Sequence, residues 1–264
     1  MKSAAFALSL VLLLGTVAAR AANEAALLEL WNQHMAAKDD HEAAISACRA
    51  FAAANANDPL LPVAQGIEAW HHLRAGRDPE ALRLLDPQVS APAGPVADGA
   101  RRLALGWLTR FDREKVTAAL QLYYRKEVAY PKSRNQLAAY PKLPADTRPP
   151  MNDRFGKPWV YQLTGFTKLR GLTDQKYSLQ SSVLGDLSEL KLALAAPYGS
   201  HITATPVQVV TAPGNTVAVK FNLPGKGAAV IGAGQAAGDL HLAWVGSQII
   251  VVCDYTHWRI FPRP

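Results

Sequence analysis

Apolar residues recur at helical spacing through the first half of the chain and in short alternating runs through its last quarter. From Glu24 to Lys38, Ala26, Leu27, Leu30, Trp31, His34 and Met35 fall near one face of a 3.6-residue period, which predicts a helix. Asp39-Asp40 breaks the pattern and can cap a second helix from Glu42 to Ala54, with Ala44, Cys48 and Phe51 on one face. Asn55 to Pro62 reads as a turn and Val63 to Ala75 as a third helix ended by Gly76. Asp78-Pro79 starts a fourth, Glu80 to Leu85, because Pro fits the first helical position. Beyond an Ala/Pro/Gly hinge at Ser90 to Pro95, two helices are expected. One covers Val96 to Thr109 with Ala100, Leu103, Leu105 and Trp107; the other is capped by Asp112 and carries Val116, Ala119, Leu120 and Tyr123. The second ends near Val128, since Pro131 disfavours helix just before it.

After one more short helix, Leu187 to Ala195, the period changes to 2. Strands are expected at Ile202–Val210, Thr216–Leu223, Ala228–Ile231, Leu240–Val245, Ile249–Cys253 and His257–Phe261, with turns at Pro213-Gly214-Asn215 and Gly246-Ser247. The fold class is therefore α+β. The expected segments are a signal peptide (1–21), a helical-repeat region (22–95), an α+β region (96–186) and a β-rich region (187–264).

The first segment has Lys2, an apolar run from Ala4 to Ala19, and a small-x-small pattern at Ala19-Arg20-Ala21. The run is shorter than the roughly 20 residues a spanning helix needs. Cleavage and export to the periplasm or beyond are the expectation. The formal net charge is +7, falling to about +5 without Lys2 and Arg20. Much of the excess lies between Arg101 and Arg134, which suits a solvated helix face or a contact with anionic lipid or an acidic partner. Nucleic acid is not an expected partner, because no binding motif accompanies this charge. Cys48 and Cys253 are far apart in sequence and are expected as buried free thiols.

Glu42-Ala43-Ala44-Ile45 and Glu80-Ala81-Leu82 occupy equivalent places in successive helix pairs, and Pro59 closes the first pair. This resembles tetratricopeptide repeats, without the glycine usual in the first helix and at a longer interval; an ordinary helical bundle fits the same pattern. Stacked pairs of that kind would offer a concave groove for a peptide or helix.

The most specific run begins at the helix after Asp112. It continues through Tyr130-Pro131, a Pro-rich linker, then Asp153, Phe155, Gly156, Pro158, Trp159 and Tyr161, and closes with Tyr177, Leu179 and Ser181. In this order the residues resemble the C-terminal domain of the major pseudopilin of bacterial type II secretion. The physics of each is structural. Asp153 can accept amides of the next turn, Gly156 permits positive φ, Pro158 suits a strand entrance, and Trp159 and Tyr161 can face the helix stripe. The resemblance implies a long helix across a small antiparallel sheet, and secretion or pilus-like assembly. It also implies a calcium loop, of which only Gly185, Asp186 and Glu189 are present here; a calcium site needs six or more oxygens, so no cofactor is expected. Ala229 to Phe261 further resembles the small β module of inner-membrane secretion and pilus assembly proteins, and a generic β-sandwich or small barrel fits equally well.

Other motifs carry less. Ala228 to Gly238 imitates a dinucleotide fingerprint but leaves no room for the helix and parallel strand it needs. His71 and His72 point to different helix faces, His34 and His41 straddle a helix break, and no spacing suits zinc. Asp254 and His257 lack a nucleophile motif and are expected in a surface turn. The functional expectation is an exported, non-catalytic interaction or assembly protein whose partners are envelope or secretion-system proteins. The alternatives are an exported hydrolase with its site between modules, and a purely structural envelope protein.

Overall fold

The computed structural model describes residues 22–264 except 145–146, 170–171 and 215. The signal-like segment 1–21 lies outside the described residues. The architecture is α+β, with helices N-terminal and strands C-terminal. Four helices come first: α1 (Glu24–Ala37), α2 (His41–Ala54), α3 (Leu61–Arg74) and α4 (Asp78–Val89), each lying against the next. Asp40 caps α2 through the amide of Ala43, as expected of Asp39-Asp40, and the Asn23 side chain caps α1 through Ala26. Helix α4 runs beyond Leu85 to Val89, through Pro87.

The two helices expected after the hinge are one. Helix α5 spans Pro95–Glu127 without a break. No Gly or Pro interrupts Thr109 to Asp112, and the carboxylate expected to cap a new helix is committed elsewhere. Asp112 is buried and takes both Arg154 Nε (2.5 Å) and Nη2 (3.1 Å), while Thr109 Oγ1 accepts the Arg154 amide at 3.3 Å. A tertiary ion pair has replaced the local cap. The helix ends at Val128, which adopts a left-handed φ of 55°.

After α6 (Arg134–Ala138), strands β1 (Val160–Leu169) and β2 (Leu172–Ser181) form an antiparallel hairpin, to which β3 (Gly185–Asp186) adds beside β2. Helix α7 (Leu190–Ala195) follows. Strands β4 (Thr205–Ala212), β5 (Thr216–Leu223) and β6 (Gly227–Gly232) make one antiparallel sheet. Strands β7 (Ala236–Ala237), β8 (Leu240–Val245), β9 (Ile249–Cys253) and β10 (Trp258–Pro262) make a second, in the order β10-β9-β8-β7. Ile202 precedes its strand because its amide closes a turn onto Gly199. His257 precedes β10 because its amide is held by the Asp254 carboxylate.

Three cores result, and they cross the boundaries expected at 95 and 186. The first unites α1–α4 and the front half of α5 with Ala243, Ile249, Val251, Cys253, Trp258 and Ile260 of the C-terminal sheet. The second lies between the rear half of α5 and the β1–β2 hairpin. The third joins β4–β6 to the opposite face of β8 and β9 through Leu242, Ile250 and Val252. Strand β9 reads Ile-Ile-Val-Val-Cys because alternate side chains enter different cores and both faces are buried. The inner helical face, expected as a groove for a foreign peptide, is filled by the chain's own β8–β10. Cys48 and Cys253 are buried free thiols, as expected.

Three helical glycines make this docking possible. A Cβ on Gly66 of α3 would run into the Trp258 indole, and one on Gly99 of α5 would lie 2.8 Å from Trp258 Cη2 and 3.0 Å from Cys253 Sγ. A Cβ on Gly106 would overlap the Tyr255 carbonyl oxygen. In an isolated helix Gly→Ala gains about 1 kcal/mol. Here the sign reverses: Gly106→Ala is expected to destabilise by ~1–3 kcal/mol, the range for forced overpacking. Urea unfolding of the two proteins, compared by midpoint at equal slope, measures it.

Candidate functional site

Ten of the eleven motif residues named above gather around one helix–hairpin unit. Asp153 sits at its turn. Its Oδ1 accepts the amides of Phe155 and Lys157, each at 3.0 Å, and its Oδ2 accepts the Ser181 hydroxyl at 2.7 Å. Ser181 Oγ in turn accepts the amides of Val183 and Leu184, both at 3.1 Å. Opening turn and closing strand are thus pinned by one buried carboxylate–hydroxyl pair. Gly156 has the positive φ (74°) that the turn requires. Pro158 bridges Asn152, and its carbonyl accepts the Ser182 hydroxyl at 2.8 Å.

Trp159 and Leu179 lie buried beside Val116, Ala119, Leu120 and Tyr123 of α5, with Tyr161, Tyr177 and Tyr130 at the margin. Tyr161 Oη donates to the Pro131 carbonyl at 2.8 Å, and the Tyr130 and Tyr177 rings meet edge-on at 4.8 Å. Phe155 departs from this group: its ring meets Tyr255, at the β9–β10 turn, edge-on at 5.6 Å. These contacts are turn-closing and packing ones.

A second constellation was not expected. Asp254 and His257 are buried, not set in a surface turn. The Asp254 Oδ1 atom accepts the amides of Thr256 and His257 (both 2.7 Å) and the Thr256 hydroxyl (3.0 Å), while Oδ2 meets His201 Nε2. Thr256 Oγ1 also lies 2.8 Å from His257 Nδ1 and 3.3 Å from His201 Nε2. Burial alone would raise the Asp254 carboxyl, but the hydrogen bond and charge of His201 hold it at about 2. The same hydrogen bond raises His201 above its ordinary value, whereas burial lowers His257 to about 3. The group opens to solvent through a cleft of about 380 Å³ and another of about 240 Å³, which share His201, Asp239 and Asp254. Among the described residues, His201, Asp254 and His257 are the one set of three or more His, Cys, Asp or Glu side chains arranged to hold a metal ion.

A hydrolase triad is not assembled here. The Thr256 hydroxyl and the Asp254 carboxylate meet the same nitrogen of His201, whereas a triad needs them on opposite nitrogens. The glycine-rich Ala228 to Gly238 segment forms β6, a turn and β7, so the helix that a dinucleotide requires does not follow it.

Three other histidines, His34, His41 and His71, also converge. His71 Nε2 lies 2.8 Å from His34 Nδ1 and His71 Nδ1 lies 3.1 Å from His41 Nδ1, while His72 faces away towards Glu68. The Tyr198 ring stands between the two histidine groups, 4.5 Å from His34 and 4.6 Å from His257. Neither His201 nor Tyr198 belonged to any sequence motif; their partners lie 53 and 60 residues away.

Comparison of the chain with protein-family models, curated proteins and solved structures finds no match in any of the three. Among the described residues no helix is long and apolar enough to cross a membrane.

Two outcomes follow from these geometries. Asp153→Ala strands two turn amides and the Ser181 hydroxyl, and is expected to lower unfolding free energy by ~2–3 kcal/mol, measured in urea. Burial lowers His34 to about 4 and His71 to about 3 from 6.5. Unfolding releases both rings to their ordinary value, so the unfolded chain binds more protons below pH 6.5. Their contribution is complete above that pH and is lost as pH falls towards 4 and 3, by about 1.4 kcal/mol per unit for each. Unfolding midpoints at pH 7 and pH 5 are expected to differ accordingly, with the lower at pH 5.

Proposed function

We propose that this chain is an exported, non-catalytic assembly protein of the bacterial envelope, acting with type II secretion or pilus-like machinery. The observation that carries the reading is the Asp153–Ser181 lock at 2.7 Å, because it gives the ordered motif residues a shared structural purpose. Their purpose is to hold an aromatic hairpin against a long helix, as the pseudopilin resemblance implies.

The inner helical face is not the docking surface in this reading, since β8–β10 fill it. Part of the basic run is also spent internally. Arg101 donates to the carbonyls of Val89 and Ala91, and Arg102 lies 3.9 Å over the Tyr255 ring. What remains outward is the far end of α5 and its continuation, with Lys115, Arg125, Lys126 and Lys132 exposed. That end suits an acidic face of an envelope protein or an anionic membrane surface.

Cross-linking in the envelope fraction followed by affinity capture tests this. Recovery of a secretion or pilus-like component, reduced by the double change Arg125→Glu and Lys126→Glu, is the expected result. Capture that brings down no such component, or that ignores the charge reversal, contradicts it.

A further inference from the structure

We propose that His201, Asp254 and His257 form a mononuclear site for a transition-metal dication, with zinc the best fit. One donor atom from each lies within 4.8 Å of the other two. Tetrahedral ligands at about 2.1 Å from zinc stand ~3.4 Å apart, so closure needs a shift of up to about 1.4 Å. The side chain able to make it is His201, which is 47% exposed. The other two are fixed beforehand. Asp254 is oriented by the backbone of its own turn, which occupies Oδ1 and leaves Oδ2 towards His201. His257 is wedged among Trp70, Trp107 and Tyr198.

The donor set selects the ion. Two imidazoles and one carboxylate suit zinc, copper, nickel or ferrous iron, whereas calcium asks for six or more oxygens. Three protein ligands leave a fourth position, which a water from either cleft can fill. The Thr256 hydroxyl lies among all three ligands at 2.8–3.3 Å, so it is placed to bond to a ligand or to that water.

Hydrogen bonds within the turn do not account for the cluster. His257 is 3% exposed, and its Nε2 has no partner among the described residues. The clefts bring Asp186 and Asp239 towards Asp254, against Arg110 in one and Lys226 in the other.

The test uses the chain without a histidine tag, stripped with a chelator and dialysed. Zinc chloride is titrated by calorimetry and cobalt chloride by visible absorption. One equivalent is expected, with the strong absorption of four-coordinate cobalt and a raised melting temperature. His201→Ala, at a half-exposed position, is expected to keep the circular dichroism of the parent. It is expected to weaken binding by at least the ~10-fold that even losing an outer-shell partner produces. His41→Ala, in the other histidine group, is expected to leave binding unchanged. Absence of a bound equivalent, or affinity undiminished by His201→Ala, overturns the proposal. The result is independent of whether a secretion partner is captured.

Discussion

The structure depends on the seating of one indole in a notch between two helices. Trp258, fully buried at the start of β10, enters the space left by Gly66 of α3 and Gly99 of α5. Without it the two helices would face each other across a gap lined by glycine, and the apolar residues of β9 would lose their floor. The contact is reinforced on either side. Trp107 of α5 donates its indole N–H to the Thr256 carbonyl at 2.8 Å, and Glu24 at the head of α1 accepts the amide of Gln248 at 2.7 Å in the β8–β9 turn. The first helix and the last strands are thus joined across more than two hundred residues. This explains why mid-helix glycine, which weakens a helix by about 1 kcal/mol, is retained at these positions.

The same docking organises everything with chemical character. The β9–β10 turn is carried to the helices by Trp258, and that turn holds Asp254, Thr256 and His257. The long helix α5 links this region to the hairpin core, with Asp112 and Arg154 pairing where the first core gives way to the second. Tyr198 performs a similar joining role, since its hydroxyl accepts the Trp258 amide at 3.0 Å while its ring separates the two histidine groups.

Local signals were legible in the sequence. Periodicity gave the four initial helices, and the switch to period 2 located the C-terminal strands to within a few residues. Asp153 and Gly156 could be read as turn residues because their chemistry acts on near neighbours, whereas Ser181 stood out only through the resemblance, its bond to Asp153 spanning 28 residues. Asp112 was misread because a helix-capping carboxylate and a tertiary ion-pairing carboxylate look alike until Arg154 is placed. The helical face looked free because the strands that cover it come last in the chain. His201 carried no local signal at all, since its significance arises only when Asp254 is brought opposite it.

The central claim is that the N-terminal helices and the C-terminal sheet form one cooperative unit. Native-state hydrogen exchange in low urea tests it most directly, by comparing the slowest amides of α3 with those of β9 and β10. The account predicts that both sets open with the same free energy and the same urea dependence. Strands that open well before α3, with a smaller free energy of their own, would contradict it.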